Sequence, residues 1–130
     1  MIVVDSSAWI EYLRGTGSAA DEAVSRLVKK PAQVAVLDVV LLELLAGAGD
    51  ESRADEIARF LARFTAVRTA SPADHELAAA LYRAARRAGE TVRSLLDCLI
   101  AAAALRLDAA VLAQDRDFDV LARTSSLRLA

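Results

Sequence analysis

The chain has 130 residues, near the commonest size of a single domain, and 55% of them are apolar, which excludes a disordered composition. Eighteen acids against sixteen bases give a formal charge of −2 and a pI near 5.4, which argues against a simple basic nucleic-acid binder but says nothing of local patches. One cysteine, Cys98, and one histidine, His75, exclude an internal disulfide, a cysteine-rich zinc site and a histidine metal cluster.

In chain order, Ile2-Val3-Val4 is a short β-branched run closed by Asp5. That is the pattern of a buried strand with an acid at its C-terminal end. Ser6 or Ser7 is expected to cap a helix to about Arg14, stopped by Gly15 and Gly17. A second helix is expected over residues 18–30, ended by Pro31, and a second strand over 33–37. Asp38 suits the cap of a helix over 39–46. Residues 51–64 read as an amphipathic helix, with Ile57, Phe60, Leu61 and Phe64 at i, i+3, i+4 and i+7. A third strand fits 66–69. Ser71-Pro72 reads as a helix start, Ser71 the cap and Pro72 the first helical residue, with the helix running to Ala88 and stopped by Gly89. Residues 90–93 form a loop, and Ser94 caps a helix to about Leu105. A fourth strand is expected over 109–113, a short helix over 116–123, and an edge strand over 127–129.

Strands and helices alternate throughout. The expected architecture is therefore α/β: one domain over residues 1–130, with a mainly parallel sheet of four or five strands and helices on both faces. Ligands in such sheets bind beyond the carboxyl ends of the strands. The opening MIVVDSS lacks the basic stretch and long apolar run of a secretory leader, so none is expected, and the apolar stretches at 34–45 and 95–105 are short and broken by Asp38, Glu43 and Asp97. A soluble cytoplasmic protein is expected.

Most of the acids need no special account. Asp21, Glu22, Asp50, Glu51, Asp55, Glu56, Asp74 and Glu76 fall on polar helix faces or first turns, where they are expected to be solvated. Asp38 and Asp108 flank strands, but capping and turn roles suffice for them. Five others sit in apolar company: Asp5 after IVV, Glu43 within VVLLELLAGA, Asp97 within SLLDCLIAAAA, and Asp115 and Asp117 after AAVLA. Taken singly, each has a structural explanation. Asp5 could cap a helix, and Asp97 stands three residues after Ser94, the spacing of a capping box. Taken together, Asp5, Asp115 and Asp117 emerge at one sheet edge, and several carboxylates there cannot all ionise without cations between them. Oxygen ligands without Cys or His point to Mg²⁺ or Mn²⁺, ions that serve phosphoryl transfer and phosphodiester hydrolysis.

The order VVDSSAW, VVLLELLAG, RSLLDCLIAAAA and AQDRDFD resembles the PIN-domain ribonucleases, in particular the VapC-type toxins of bacterial toxin–antitoxin pairs. The likeness runs from Ile2 to about Leu121. It implies a PIN-like fold and an acidic site of Asp5, Glu43, Asp97 and Asp115, with Asp117 a further metal ligand. It implies that Ser6 and Ser94 support the site by hydrogen bonds. Ala113 departs from relatives that often carry Thr there. The resemblance also implies an RNA substrate, a homodimer, and a small antitoxin that blocks the acidic groove.

The reaction so implied is metal-dependent hydrolysis of RNA by an activated water, with two ions when substrate is bound. Arg83, Arg86, Arg87 and Arg93 form either a solvated helix side or a phosphate-contacting rim. Trp9 and Tyr12 share a helix face suited to core or dimer packing, and Cys98 reads as a small buried hydrophobe. One alternative is an aspartyl-phosphate phosphotransferase of the haloacid-dehalogenase type. It would want an Asp where Ser7 stands, and a late Lys where the chain has only Lys29 and Lys30. The other is a non-catalytic PIN or receiver-like binding module, which has no reason to keep five awkward carboxylates.

Overall fold

Four parallel strands lie in the order β3-β2-β1-β4 in the computed structural model, which describes residues 1–130. The strands are β1 (Ile2–Val4), β2 (Val34–Leu37), β3 (Thr65–Val67) and β4 (Ala110–Leu112). Between and after them run α1 (Ser6–Arg14), α2 (Ala19–Leu27), α3 (Asp38–Ala46), α4 (Glu51–Leu61), α5 (Ala73–Arg87), α6 (Leu95–Arg106) and α7 (Arg116–Thr124). Every residue of β2 is buried, as a central strand covered on both faces requires.

The crossovers from β1 to β2 and from β2 to β3 step in one direction, whereas the crossover to β4 steps back across the sheet. Right-handed connections therefore place α1–α4 on one face and α5–α6 on the other. The packing agrees: α1 meets α2 and α3, α3 meets α4, and α5, α6 and α7 meet one another. The order reverses between β1 and β4, the point where such sheets open a ligand crevice. Trp9 is fully buried among Tyr12, Phe60 and Phe64, its ring centroid 5.2 Å from that of Phe64, so the aromatic face of α1 belongs to the core. Cys98 is also fully buried, and burial pushes its thiol up to about 11, consistent with a packing role.

The structure corrects several sequence expectations. Asp5, not Ser6 or Ser7, caps α1, because its extended backbone aims the carboxylate at the Ser7 N–H. The second helix stops at Leu27, and Pro31 opens a short 3-10 turn that takes in Gln33 and delays β2. The fourth helix ends at Leu61, although Phe64 beyond it remains buried. Ser71 makes no cap bond; the Ser71–Pro72 peptide is cis and Pro72 stands outside the helix. No side chain caps the helix; Asp74, in its first turn, reaches back instead to accept from the Ala70 N–H at 2.7 Å.

Asp74 is likewise not the solvated acid expected. It is 1% exposed and is held by Arg106 at 2.8 Å and 3.0 Å. The antiparallel pairing of α5 and α6 puts an acid at one helix start beside a base at another's end, which suits both dipoles. The expected strand at 127–129 reduces to one parallel bridge, Val111 to Leu129.

Candidate functional site

Two strand ends and two helix starts build the site. Asp5 leaves β1 and is 2% exposed. Its backbone N–H bonds Leu112 O at 2.9 Å, which pins the end of β1 to the end of β4. Asp5 Oδ2 accepts from the Ser7 N–H at 3.0 Å and the Ser7 hydroxyl at 2.6 Å. Ser7 Oγ in turn accepts from the Gln114 N–H at 2.8 Å. Asp5 Oδ1 is buried with no hydrogen-bond partner. Burial pushes this carboxyl above its ordinary value; the bonds from Ser7 and Ser6 oppose that, and the Asp115 charge adds to it.

Asp97 stands in the first turn of α6 and is 5% exposed. Burial raises its pKa to about 9, helped by Asp117, Asp5 and Asp115. Asp97 Oδ2 is also buried without a partner. Asp115 caps α7, accepting from the Asp117 N–H at 2.9 Å. Asp117 is 3% exposed and takes three backbone hydrogen bonds: the Arg93 N–H reaches both of its oxygens and the Ser94 N–H one, all at 3.1 Å. Asp97, Asp115 and Asp117 each offer an oxygen within 4.8 Å of the others.

Glu43 projects from the middle of α3, half-buried, with its Oε1 accepting from the Ser6 hydroxyl at 3.3 Å. Burial raises its pKa, and the charges of Asp5 and Asp115 push the same way against the Ser6 bond. The contact between α3 and α6 brings its helix to that of Asp97. The structure therefore groups Asp97, Asp115 and Asp117 tightly, with Asp5 and Glu43 outside that triad yet within its field.

The two serines named from the sequence differ. The Ser6 hydroxyl reaches Glu43, whereas Ser94 serves through its backbone N–H, its hydroxyl making no cap bond. Sequence reasoning missed Ser7 as a bridge between Asp5 and the exit of β4. The available signal was a hydroxyl two residues beyond an acid at a strand end, the spacing that lets it return to that carboxylate. Arg83, Arg86, Arg87 and Arg93 are exposed, and Arg86 reaches only the Tyr82 hydroxyl, at 3.4 Å.

The donor set suits a hard divalent cation. The oxygens are carboxylate only, two of them lie buried without partners, and the mutual repulsion asks for positive charge.

Comparison with known proteins gives concordant results. Residues 2–124 match the PIN domain family. The chain is 44% identical over 131 residues to a VapC ribonuclease of Mycobacterium bovis and to ribonuclease VapC11 of Mycobacterium tuberculosis, covering 100% of this chain and 98% of each relative. Among solved structures, DNA-bound VapBC from Salmonella typhimurium superimposes with a TM-score of 0.81 at 17% identity, covering 99% of this chain and 96% of that one. VapC20 of Mycobacterium tuberculosis, a sarcin-ricin-loop-cleaving toxin, superimposes with a TM-score of 0.65 at 24% identity, covering 98% and 99%.

Proposed function

The chain belongs to the PIN-domain family and, within it, to the VapC ribonucleases, and from that premise we propose that it is the endoribonuclease toxin of a toxin–antitoxin pair. The observation that carries the reading is the pair of buried, unpartnered carboxylate oxygens, Asp5 Oδ1 and Asp97 Oδ2, beside the Asp97–Asp115–Asp117 cluster. Buried carboxylates without partners cost too much to keep for structure alone.

Asp5, Asp97 and Asp115 are the residues suited to hold Mg²⁺ or Mn²⁺, two ions when RNA is bound. Asp117 spends its lone pairs on the Arg93 and Ser94 N–H groups, so its main part is to fix the start of α6, with metal contact as a second duty. When bound there, a divalent cation would supply a water nucleophile at neutral pH and offset charge on the phosphoryl group. Asp97 would have to release its proton to hold the cation, since only the carboxylate is a ligand. Glu43 keeps one oxygen on Ser6, and its raised pKa suits the other to accept a proton from the attacking water. Ser7 fixes the Asp5 carboxylate against the end of β4.

The phosphotransferase alternative loses further ground here. The position where it would want a second acid is Ser7, whose hydroxyl is spent on Asp5 and Gln114. A small antitoxin that covers the acidic groove and a homodimeric toxin complete the proposal. The structures that resemble this fold include VapBC complexes. No helix is long and apolar enough to cross a membrane, and the cytoplasm is the proposed location. The test is cleavage of RNA by the purified chain with Mg²⁺ or Mn²⁺. Loss of cleavage in EDTA is expected, and cleavage that survives both EDTA and Asp5→Asn would overturn the reading.

A further inference from the structure

We propose that Arg93 and Arg116 form an anion cleft that holds the RNA phosphate backbone next to the acidic site, an inference that rests on the nuclease reading above. A cleft of about 460 Å³ opens between the α5–α6 loop and α7, lined by Gly89, Glu90, Thr91, Arg93, Arg116 and Val120. Only Val120 among these is apolar, so the cleft suits a polar ligand.

Its charge follows from the pairing around it. Glu90 is the one acid of the lining, and Arg123 engages both of its carboxylate oxygens. Arg93 and Arg116 are exposed, and neither belongs to any of the four salt bridges of the chain. The cleft therefore presents two unspent guanidinium groups and one acid already neutralised. A guanidinium fork matches phosphate oxygens in a way a point charge does not.

Its position follows from the same bonds that build the acidic site. The backbone N–H of Arg93 is fixed on both oxygens of Asp117. Arg116 is the first residue of α7, between the cap Asp115 and Asp117. Arg116 also lines a second cleft, of about 370 Å³, together with Gln114, Asp115 and Asp119. It thus stands on the ridge between the two, with a carboxylate of the site on one side and the unspent Arg93 on the other. The two arginines are thus tied by backbone to Asp115 and Asp117, which sets the anion cleft beside two acids of the site. A phosphodiester strand is the ligand that needs both, because the phosphates flanking the cut bond must be held while the central one meets the metals. Of Arg83, Arg86, Arg87 and Arg93, which the sequence left between a solvated helix side and a phosphate-contacting rim, only Arg93 lines this cleft.

The test measures binding of a fluorescent single-stranded RNA across a NaCl series in an Asp97→Asn background, so that the probe stays whole. Arg93→Gln and Arg116→Gln are each expected to weaken binding by about 5- to 20-fold, and to lower the slope of log affinity on log salt by ~0.7 each. Arg59→Gln, exposed on α4, is the charge control and should change neither. In the active chain, the Arg93→Gln/Arg116→Gln double variant should raise KM with kcat nearly unchanged. The bond to Asp117 comes from the Arg93 backbone and survives the substitution. The inference is overturned if the double variant keeps the parent's affinity, salt slope and KM, or if Arg59→Gln weakens binding as much. Absence of RNA cleavage by the wild-type chain is a separate result and would overturn the nuclease reading beneath it.

Discussion

The Ser7 hydroxyl donates to Asp5 Oδ2 at 2.6 Å while accepting from the Gln114 N–H at 2.8 Å, so one small side chain locks the acid that ends β1 to the backbone leaving β4. These are the two strands between which the sheet order reverses. Ser7→Ala removes the one side-chain bond that opposes the burial of Asp5, keeps the Ser7 N–H bond, and leaves the Gln114 N–H without its hydroxyl acceptor. RNA cleavage is expected to fall about 10- to 100-fold, the usual cost of losing a group that orients a ligand. The acid limb of the pH–rate profile should move to higher pH, because a bond that favours the carboxylate is gone. Ser7→Thr should restore most of the activity. An unchanged profile in Ser7→Ala would show that the hydroxyl only fills space.

Asp97 supplies a prediction about pH. Its folded-state value of about 9 lies far above the ordinary 3.8, so the native metal-free chain holds a proton that the unfolded chain has lost. Stability rises with pH only where the unfolded state binds more protons; here the native state does, so stability falls as pH rises between these values. Between pH 6 and pH 8 the loss in EDTA should reach up to about 2 to 3 kcal/mol. Asp97→Asn, neutral throughout, should flatten that slope in urea titrations. A slope that is the same in both proteins would mean that Asp97 is already ionised without metal.

Metal loading should reverse that trend. Binding requires the Asp97 proton to leave, so Mn²⁺ affinity should rise with pH and binding should release protons into weakly buffered solution. Mn²⁺ at saturating concentration should raise the Tm of the wild-type chain by several degrees and that of Asp97→Asn or Asp115→Asn far less. Equal shifts in all three would place the ion elsewhere.

The Asp74–Arg106 pair predicts stability without activity. Burial alone would raise the Asp74 carboxyl, but the Arg106 guanidinium and the Ala70 N–H outweigh it and hold it below its ordinary value. Its stabilisation is present above the unfolded-state pKa and is lost as pH falls below about 4. Asp74→Asn should cost roughly 1 to 3 kcal/mol at pH 7, and cleavage at permissive temperature should be intact. A variant as stable as wild type would show that the pair adds nothing net to folding.

How far the sequence could be read depends on the range of the signal. The β-branched run at Ile2–Val4, the Gly15 stop and the buried run at Val34–Leu37 are local patterns, and the structure keeps all three. The fold class followed from the alternation of such runs. The five acids stood out because each broke an apolar segment, a signal that needs no knowledge of partners. What was not legible came from contacts distant in the chain. Asp74 looked like an ordinary first-turn acid because Arg106, 32 residues away, is invisible to a local reading. Ser94 fitted a capping box, but Asp117 from α7 takes its backbone N–H, and its hydroxyl makes no cap bond. Arg116 passed unnoticed within DRD because a cleft shared with the loop at 89–93 appears only in three dimensions.

The most direct test of the central claim is end-mapped cleavage of RNA by the purified chain, run with Mg²⁺ or Mn²⁺, with EDTA, and with Asp5→Asn and Asp97→Asn proteins shown by circular dichroism to be folded. Discrete metal-dependent cuts by the wild-type chain, absent in EDTA and in both variants, are the predicted result. Equal cleavage by either folded variant, or no cleavage by the metal-loaded wild-type chain on any RNA offered, would contradict it.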